Sequence, residues 1–123
     1  MYKRQYQIAR KDGLLVYDPR PTLHGLLRGL ADGVAVETLA ARFQETIAAV
    51  TRQLCGDVRA ATGLSIVALS GGVFQNQWLA TTLVRRLKSD GFEVHTNRQV
   101  PANDGGISYG QAAVAAARLA GAS

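Results

Sequence analysis

Two short glycine-bearing strings hold the residue types from which chemistry could be built. The first is Leu69-Ser70-Gly71-Gly72-Val73-Phe74-Gln75-Asn76, which runs on from an unbroken apolar stretch. Adjacent glycines let a backbone come close to a bulky ligand such as a nucleotide. Their N–H groups, with a helix start near Asn76, offer donors to phosphate or ribose oxygens. The same residues also suit a tight turn with Asn76 as a helix cap, and the pattern alone leaves both readings open. The second string, Asn103-Asp104-Gly105-Gly106-Ile107-Ser108-Tyr109-Gly110, sets a carboxylate at the mouth of a helix. There Asp104 either caps the helix and meets the positive end of its dipole, or is a hard oxygen ligand for a metal near a nucleotide's phosphates. One carboxylate does not hold a catalytic metal, and His24 and His95 stand in no metal-ligand spacing.

Other reactive side chains read as structural. Cys55 falls on or near an apolar helical stripe and suits a small buried hydrophobe. Trp78, just inside a helix, reads as packing, and both histidines as surface or packing residues. The Walker-type phosphate loop and the dinucleotide-binding glycine fingerprint are both absent.

The elements that must position the two strings are legible from periodicity. Residues 1–13 read as a ragged or non-native start, with no strand or helix period in Met1-Tyr2-Lys3-Arg4-Gln5; an apolar run begins at Leu14-Leu15-Val16-Tyr17. Asp18-Pro19-Arg20-Pro21 predicts a turn into a helix through Leu23, Leu26, Leu27 and Leu30, stopped by Asp32-Gly33. Val36, Leu39, Ala40, Phe43, Ile47, Val50 and Leu54 recur at helical steps and form one stripe, expected to cover a sheet; Gly56 or Gly63 ends that helix. Ser65-Ile66-Val67-Ala68-Leu69 reads as a strand of a parallel sheet, buried on both faces. A helix from Asn76 or Gln77 follows, with Leu79, Leu83 and Leu87 inward. Phe92-Glu93-Val94-His95 is the next strand, and Gly106 to Leu119 a last helix. The order strand, helix, strand is a βαβ unit, and both strings fall at the carboxyl ends of its strands, where open α/β sheets bind ligands. The fold class is α/β, with residues 14–123 forming one unit.

Composition bounds the remaining possibilities. At 123 residues and 47% hydrophobic, the chain suits one core. Its apolar stretches break well before the about 18 residues a span requires, and no secretory signal is recognisable. A single cysteine excludes an internal disulfide and fits a reducing cytoplasm. The net charge of +5 is spread out; its clusters are Lys3-Arg4, Arg10-Lys11 and Arg85-Arg86-Lys88, which read as solvated rather than as a nucleic-acid face. Neither nucleic acid nor a membrane is the expected partner.

Taken together, the strings carry a resemblance. Val67-Ala68-Leu69-Ser70-Gly71-Gly72-Val73-Phe74-Gln75-Asn76 resembles the adenosine-binding motif of the HypF carbamoyltransferases. Val100-Pro101-Ala102-Asn103-Asp104-Gly105-Gly106-Ile107-Ser108-Tyr109-Gly110-Gln111-Ala112 resembles their closing motif. Leu39-Ala40-Ala41-Arg42-Phe43 and Asp18-Pro19-Arg20-Pro21 are similar to the family's upstream helix and turn, so the likeness runs in register from about residue 14 to residue 119.

The resemblance implies part of an actin/sugar-kinase/Hsp70-like domain, a fold shared with the enzymes that form threonylcarbamoyladenosine in tRNA. It implies an enzyme that makes carbamoyl-adenylate from carbamoyl phosphate and ATP. The carbamoyl group then passes to the C-terminal cysteine of HypE, in maturation of nickel–iron hydrogenases. By the same resemblance Ser70, Gly71, Gly72 and Asn76 belong to the adenosine and ribose pocket, Gly105 and Gly106 approach the phosphate, and Asp104 ligates a divalent metal, iron or zinc. No catalytic residue is assigned. Gln44 stands where the family's pattern has a histidine, and the paired-histidine metal motif and the adenylate-forming, zinc-finger and acylphosphatase-like parts are expected before residue 1. The expectation is therefore a fragment, inactive alone, whose partners are HypE and the missing part of the same enzyme. A free-standing nucleotide-binding module and the tRNA-modifying branch of the fold are the alternatives.

Overall fold

An Asp12-Gly13 pair turns the chain back on itself at the start of the described region. The computed structural model describes residues 6–121, so Lys3-Arg4 and the first five residues of the expected ragged start lie outside it. Strands β1 (Gln7–Lys11) and β2 (Leu14–Asp18) pair antiparallel, with Lys11 opposite Leu14 and Gln7 opposite Asp18. Asp12 and Gly13 both take positive φ, 50° and 81°, the backbone a two-residue hairpin turn requires. Gln7–Lys11 thus forms a strand within the expected ragged start, set by the Asp-Gly turn more than by the weak alternation of its residues.

The chain divides into two compact units, Met1–Leu64 and Ser65–Ser123. In the first, the hairpin leads into α1 (Arg20–Ala31), with Pro21 in its first turn, and then into α2 (Val36–Thr62). The Asp18 carboxylate accepts the backbone N–H of Arg20 at 3.0 Å and pairs with its guanidinium at 2.7 Å, fixing the turn ahead of α1. Tyr17 donates its hydroxyl to Thr22 at 2.8 Å, and Thr22 is buried. Helix α1 ends at Asp32-Gly33, as the sequence predicts, and α2 at Gly63, the later of its two expected stops. The two helices pack together, and Leu39 lies so close to Gly29 that a Cβ there would come within 2.7 Å of its side chain. Only part of the expected α2 stripe is buried: Leu39 and Val50 are, whereas Val36 and Phe43 are exposed.

The second unit is the βαβ arrangement. Strands β3 (Ile66–Leu69) and β4 (Glu93–Thr96) pair in parallel, Ile66 opposite Glu93 and Leu69 opposite Thr96. Between them, α3 (Gln77–Ser89) buries Leu79, Leu83 and Leu87, the three positions its spacing marks as inward. Leu69 and Phe92 complete this core, in which truncating one leucine to alanine costs about 2–5 kcal/mol. The backbone N–H of Phe92 donates to Leu87 at 3.0 Å across Gly91, closing α3 and aiming the chain into β4. The expectation that β3 is buried on both faces is corrected: Ile66 and Ala68 are exposed while Leu69 is buried. A single helix packed on a two-stranded sheet covers only one of its faces. The last helix, α4 (Ile107–Gly121), has no buried residue, and Ile107, Tyr109, Val114 and Leu119 are exposed along it. Among the described residues, no helix is long and apolar enough to cross a membrane.

Candidate functional site

The two glycine-bearing strings meet at the carboxyl end of the β3–β4 sheet. Beyond Leu69 the chain makes a bend at Ser70-Gly71 and a 3-10 turn, Gly72–Gln75, before α3. Gly71 has φ 106° and ψ 159°, a backbone region only glycine occupies readily. Its N–H donates to the carbonyl oxygen of Ala102 at 2.8 Å, which straps the first loop to the second. Its own carbonyl accepts from Phe74 at 3.0 Å. The amide that sequence reasoning offered to a ligand at Gly71 is therefore committed internally. Gly72 differs in its backbone, whose φ is not positive. At both glycines nothing lies within 4 Å of where a side chain would begin, so Gly72 alone could carry one without strain.

Asn76 is the N-cap of α3, its side-chain oxygen accepting from the N–H of Leu79 at 3.1 Å. This satisfies one of the unpaired amides at the helix start. Ser70 is exposed at the end of β3, beside the strap.

In the second loop, Asn103 organises the approach to α4. Its side chain accepts from Gly105 at 3.0 Å, and its carbonyl accepts from Gly106, also at 3.0 Å. A Cβ on Gly106 would sit 2.6 Å from the carbonyl oxygen of Pro101, a contact no side chain tolerates, and one on Gly105 would lie 3.2 Å from the Pro101 ring. Both glycines are thus accounted for by the tight fold of the loop, and their amides are used within it. Asp104 begins the 3-10 turn Asp104–Gly106 and is exposed. Among the described residues, no group of three or more histidine, cysteine, aspartate or glutamate side chains is placed to hold a metal. Asp104 is a single oxygen donor, and the described donor set does not by itself fit a metal ion.

The remaining reactive side chains belong to elements other than the two loops. Cys55 is half-buried in α2, where burial pushes its thiol pKa up. Glu93 and His95 pair with each other at 2.8 Å on β4, both exposed. Trp78, expected to pack, is 42% exposed at the first turn of α3.

Sequence reasoning missed a cavity of about 550 Å³ beside the strap, lined by Leu69, Phe74, Val84, Arg85, Asn97 and Pro101 among others. None of Ser70, Gly71, Gly72, Asn76 or Asp104 lines it. Its residues come from α3, from both strand ends, from the 3-10 turn and from the loop after β4, so no one local pattern could have announced it. The acceptor of the strap, Ala102, was equally silent, since the interaction uses only its backbone.

A βαβ unit whose strand-end loops are bonded to one another defines an α/β module of the kind that binds ligands at the carboxyl edge of its sheet. The comparisons with known proteins place it more narrowly. The family described as "Carbamoyltransferase, Kae1-like Domain, second subdomain" matches residues 1–111. Carbamoyltransferase HypF2 of Cupriavidus necator is 41% identical over 93 residues, 72% of this chain and 12% of that protein. Carbamoyltransferase HypF of Rhodobacter capsulatus is 39% identical over 102 residues, 83% of this chain and 13% of the relative. A crystal structure of full-length HypF, in its phosphate- and nucleotide-bound form, superposes with a TM-score of 0.90 at 39% identity, covering 96% of this chain and 15% of that one. The chain belongs to the HypF carbamoyltransferase family and corresponds to the second subdomain of its Kae1-like domain. It spans about an eighth of the length of the curated relatives it matches.

Proposed function

We propose that this chain is the nucleotide-facing second subdomain of a carbamoyltransferase that uses carbamoyl phosphate and ATP, by way of carbamoyl-adenylate, to carbamoylate the C-terminal cysteine of HypE during hydrogenase maturation in the cytoplasm. The subdomain is half of an actin/sugar-kinase/Hsp70-like domain, and the rest of the enzyme supplies adenylate formation. The observation that carries the reading is the Gly71–Ala102 strap, which fixes both strand-end loops as one surface.

Each residue of this surface has a definable task. Gly72, with open space above it, lets the adenosine and ribose lie against the backbone, beside Ser70 and the capping Asn76. Gly71 holds the loop down and keeps its amide out of competition with Gly72. Asn103 pulls Gly105 and Gly106 into a tight turn, which leaves their unsubstituted backbone next to the phosphate side. Asp104, exposed at that turn, contributes one carboxylate toward a divalent metal, iron or zinc, whose other ligands come from outside this chain. A metal there would supply charge neutralisation at the phosphate. Positioning of this kind lowers a barrier by holding the activated carbonyl where the thiolate arrives.

A chimera tests the reading. Residues 6–121 replace the corresponding segment of the Rhodobacter capsulatus relative, and carbamoyl transfer to HypE is followed by mass spectrometry. Transfer by the chimera, lost in its Asp104→Ala form, is the expected result. A folded chimera whose transfer is indifferent to Asp104→Ala contradicts the assignment.

A further inference from the structure

One edge of strand β4 is covered by no described strand. The strand pairs with β3 alone among the described residues. The N–H of Glu93 donates to the carbonyl of Ser65 at 2.9 Å. In a parallel ladder the residues that bond to a given neighbour alternate. Glu93 and His95 therefore turn their backbone groups toward β3, while Val94 and Thr96 turn theirs to the open side. Those two residues line a second cleft, of about 560 Å³, together with His95, Arg98, Gln99, Val100 and Tyr109. The cavity of about 550 Å³ adjoins it, sharing Thr96 and Val100 and contributing Arg85. Unpaired strand groups thus lie between two recesses.

The lining has a definite charge. Arg85 and Arg98 are cationic, and no carboxylate lines either recess; Glu93, on the same strand, is paired with His95 at 2.8 Å. We propose that the β4 edge captures an extended, carboxylate-bearing segment of a partner protein by strand addition. Val94 and Thr96 supply the main-chain hydrogen bonds, and Arg98 and Arg85 receive acidic side chains in the two clefts. Strand β4 has only four residues, so few main-chain bonds form and the clefts carry most of the selectivity. A short, cation-flanked edge also resists indiscriminate pairing.

The test is a nuclear magnetic resonance titration of this chain with an acetylated decapeptide of alternating threonine and glutamate, read by amide hydrogen exchange. Exchange at Val94 and Thr96 slows on peptide addition, and Arg98→Ala weakens binding by about tenfold, as does replacing the peptide's glutamates by glutamine. Arg98→Ala alters an exposed side chain and leaves the β3–β4 ladder intact, which the unchanged exchange of its other amides verifies. Protection that rises with protein concentration and needs no peptide assigns the edge to a second copy of the chain and overturns the proposal. So does a response that free glutamate reproduces without protecting Val94 and Thr96, which marks a simple anion site. Unchanged exchange at millimolar peptide also overturns it.

Discussion

The backbone N–H of Gly71 donates to the carbonyl oxygen of Ala102 at 2.8 Å, joining two loops that lie about thirty residues apart in the chain. Gly71 reaches this position only through a φ of 106°, so the bond depends on glycine. Substitution Gly71→Ala is expected to cost about 1–3 kcal/mol of stability, seen as a lower denaturation midpoint in urea. An unchanged midpoint would show that the strap is dispensable.

Gly72→Ala is the informative contrast. Its φ is not positive and nothing lies within 4 Å of where its Cβ would stand, so its urea midpoint stays within about 0.5 kcal/mol of the parent. A loss of stability like that of Gly71→Ala would mean that Gly72 serves the fold rather than a ligand.

Gly106→Ala forces a Cβ to within 2.6 Å of the Pro101 carbonyl oxygen. Because that atom is backbone, the loop has to move, and a cost of about 1–3 kcal/mol is expected. Gly105→Ala meets its neighbours at 3.1 and 3.2 Å and is milder. Thermal unfolding of the two variants side by side gives the order.

At Asn76, alanine removes the acceptor for the Leu79 N–H and should destabilise by about 1 kcal/mol; aspartate retains the cap and most of the stability. Equal losses in both variants would point away from capping and toward the amide nitrogen.

Cys55 has its thiol pKa raised by burial. A group raised in the folded state contributes stability that is present below its unfolded pKa and is lost as pH rises through the folded pKa. Stability of the chain should therefore fall on the alkaline side more steeply than that of Cys55→Ser, measured by urea midpoints from neutral to alkaline pH. Parallel curves would exclude the effect.

The elements that fix the site were legible where a single local rule governed them. The spacing of Leu79, Leu83 and Leu87 marked the inner face of α3, and the helix boundaries fell within the alternatives the sequence offered, Asn76 capping Gln77 and Gly63 rather than Gly56 closing α2. The hairpin was legible too, in Asp12-Gly13, but its strands carry weak alternation and were passed over. Apolar runs misled about burial, because Ile66 in β3 and Val36 in α2 have the composition of core residues and are exposed. Periodicity states which face a residue shares, not what covers that face. At the site, the glycines were visible as glycines, yet the division of labour between Gly71 and Gly72 depends on φ and on Ala102, neither of which a residue type encodes. The same holds for the cavity lined by Arg85 and Asn97, assembled from separate elements.

The most direct measurement is adenosine monophosphate binding by calorimetry to the chimera that carries residues 6–121, with and without Gly72→Leu. The loop surface proposed here predicts that the parent chimera binds and that the variant, at an unchanged thermal midpoint, binds at least about tenfold more weakly. Equal affinity in the two proteins would contradict the placement of the nucleotide against Gly72.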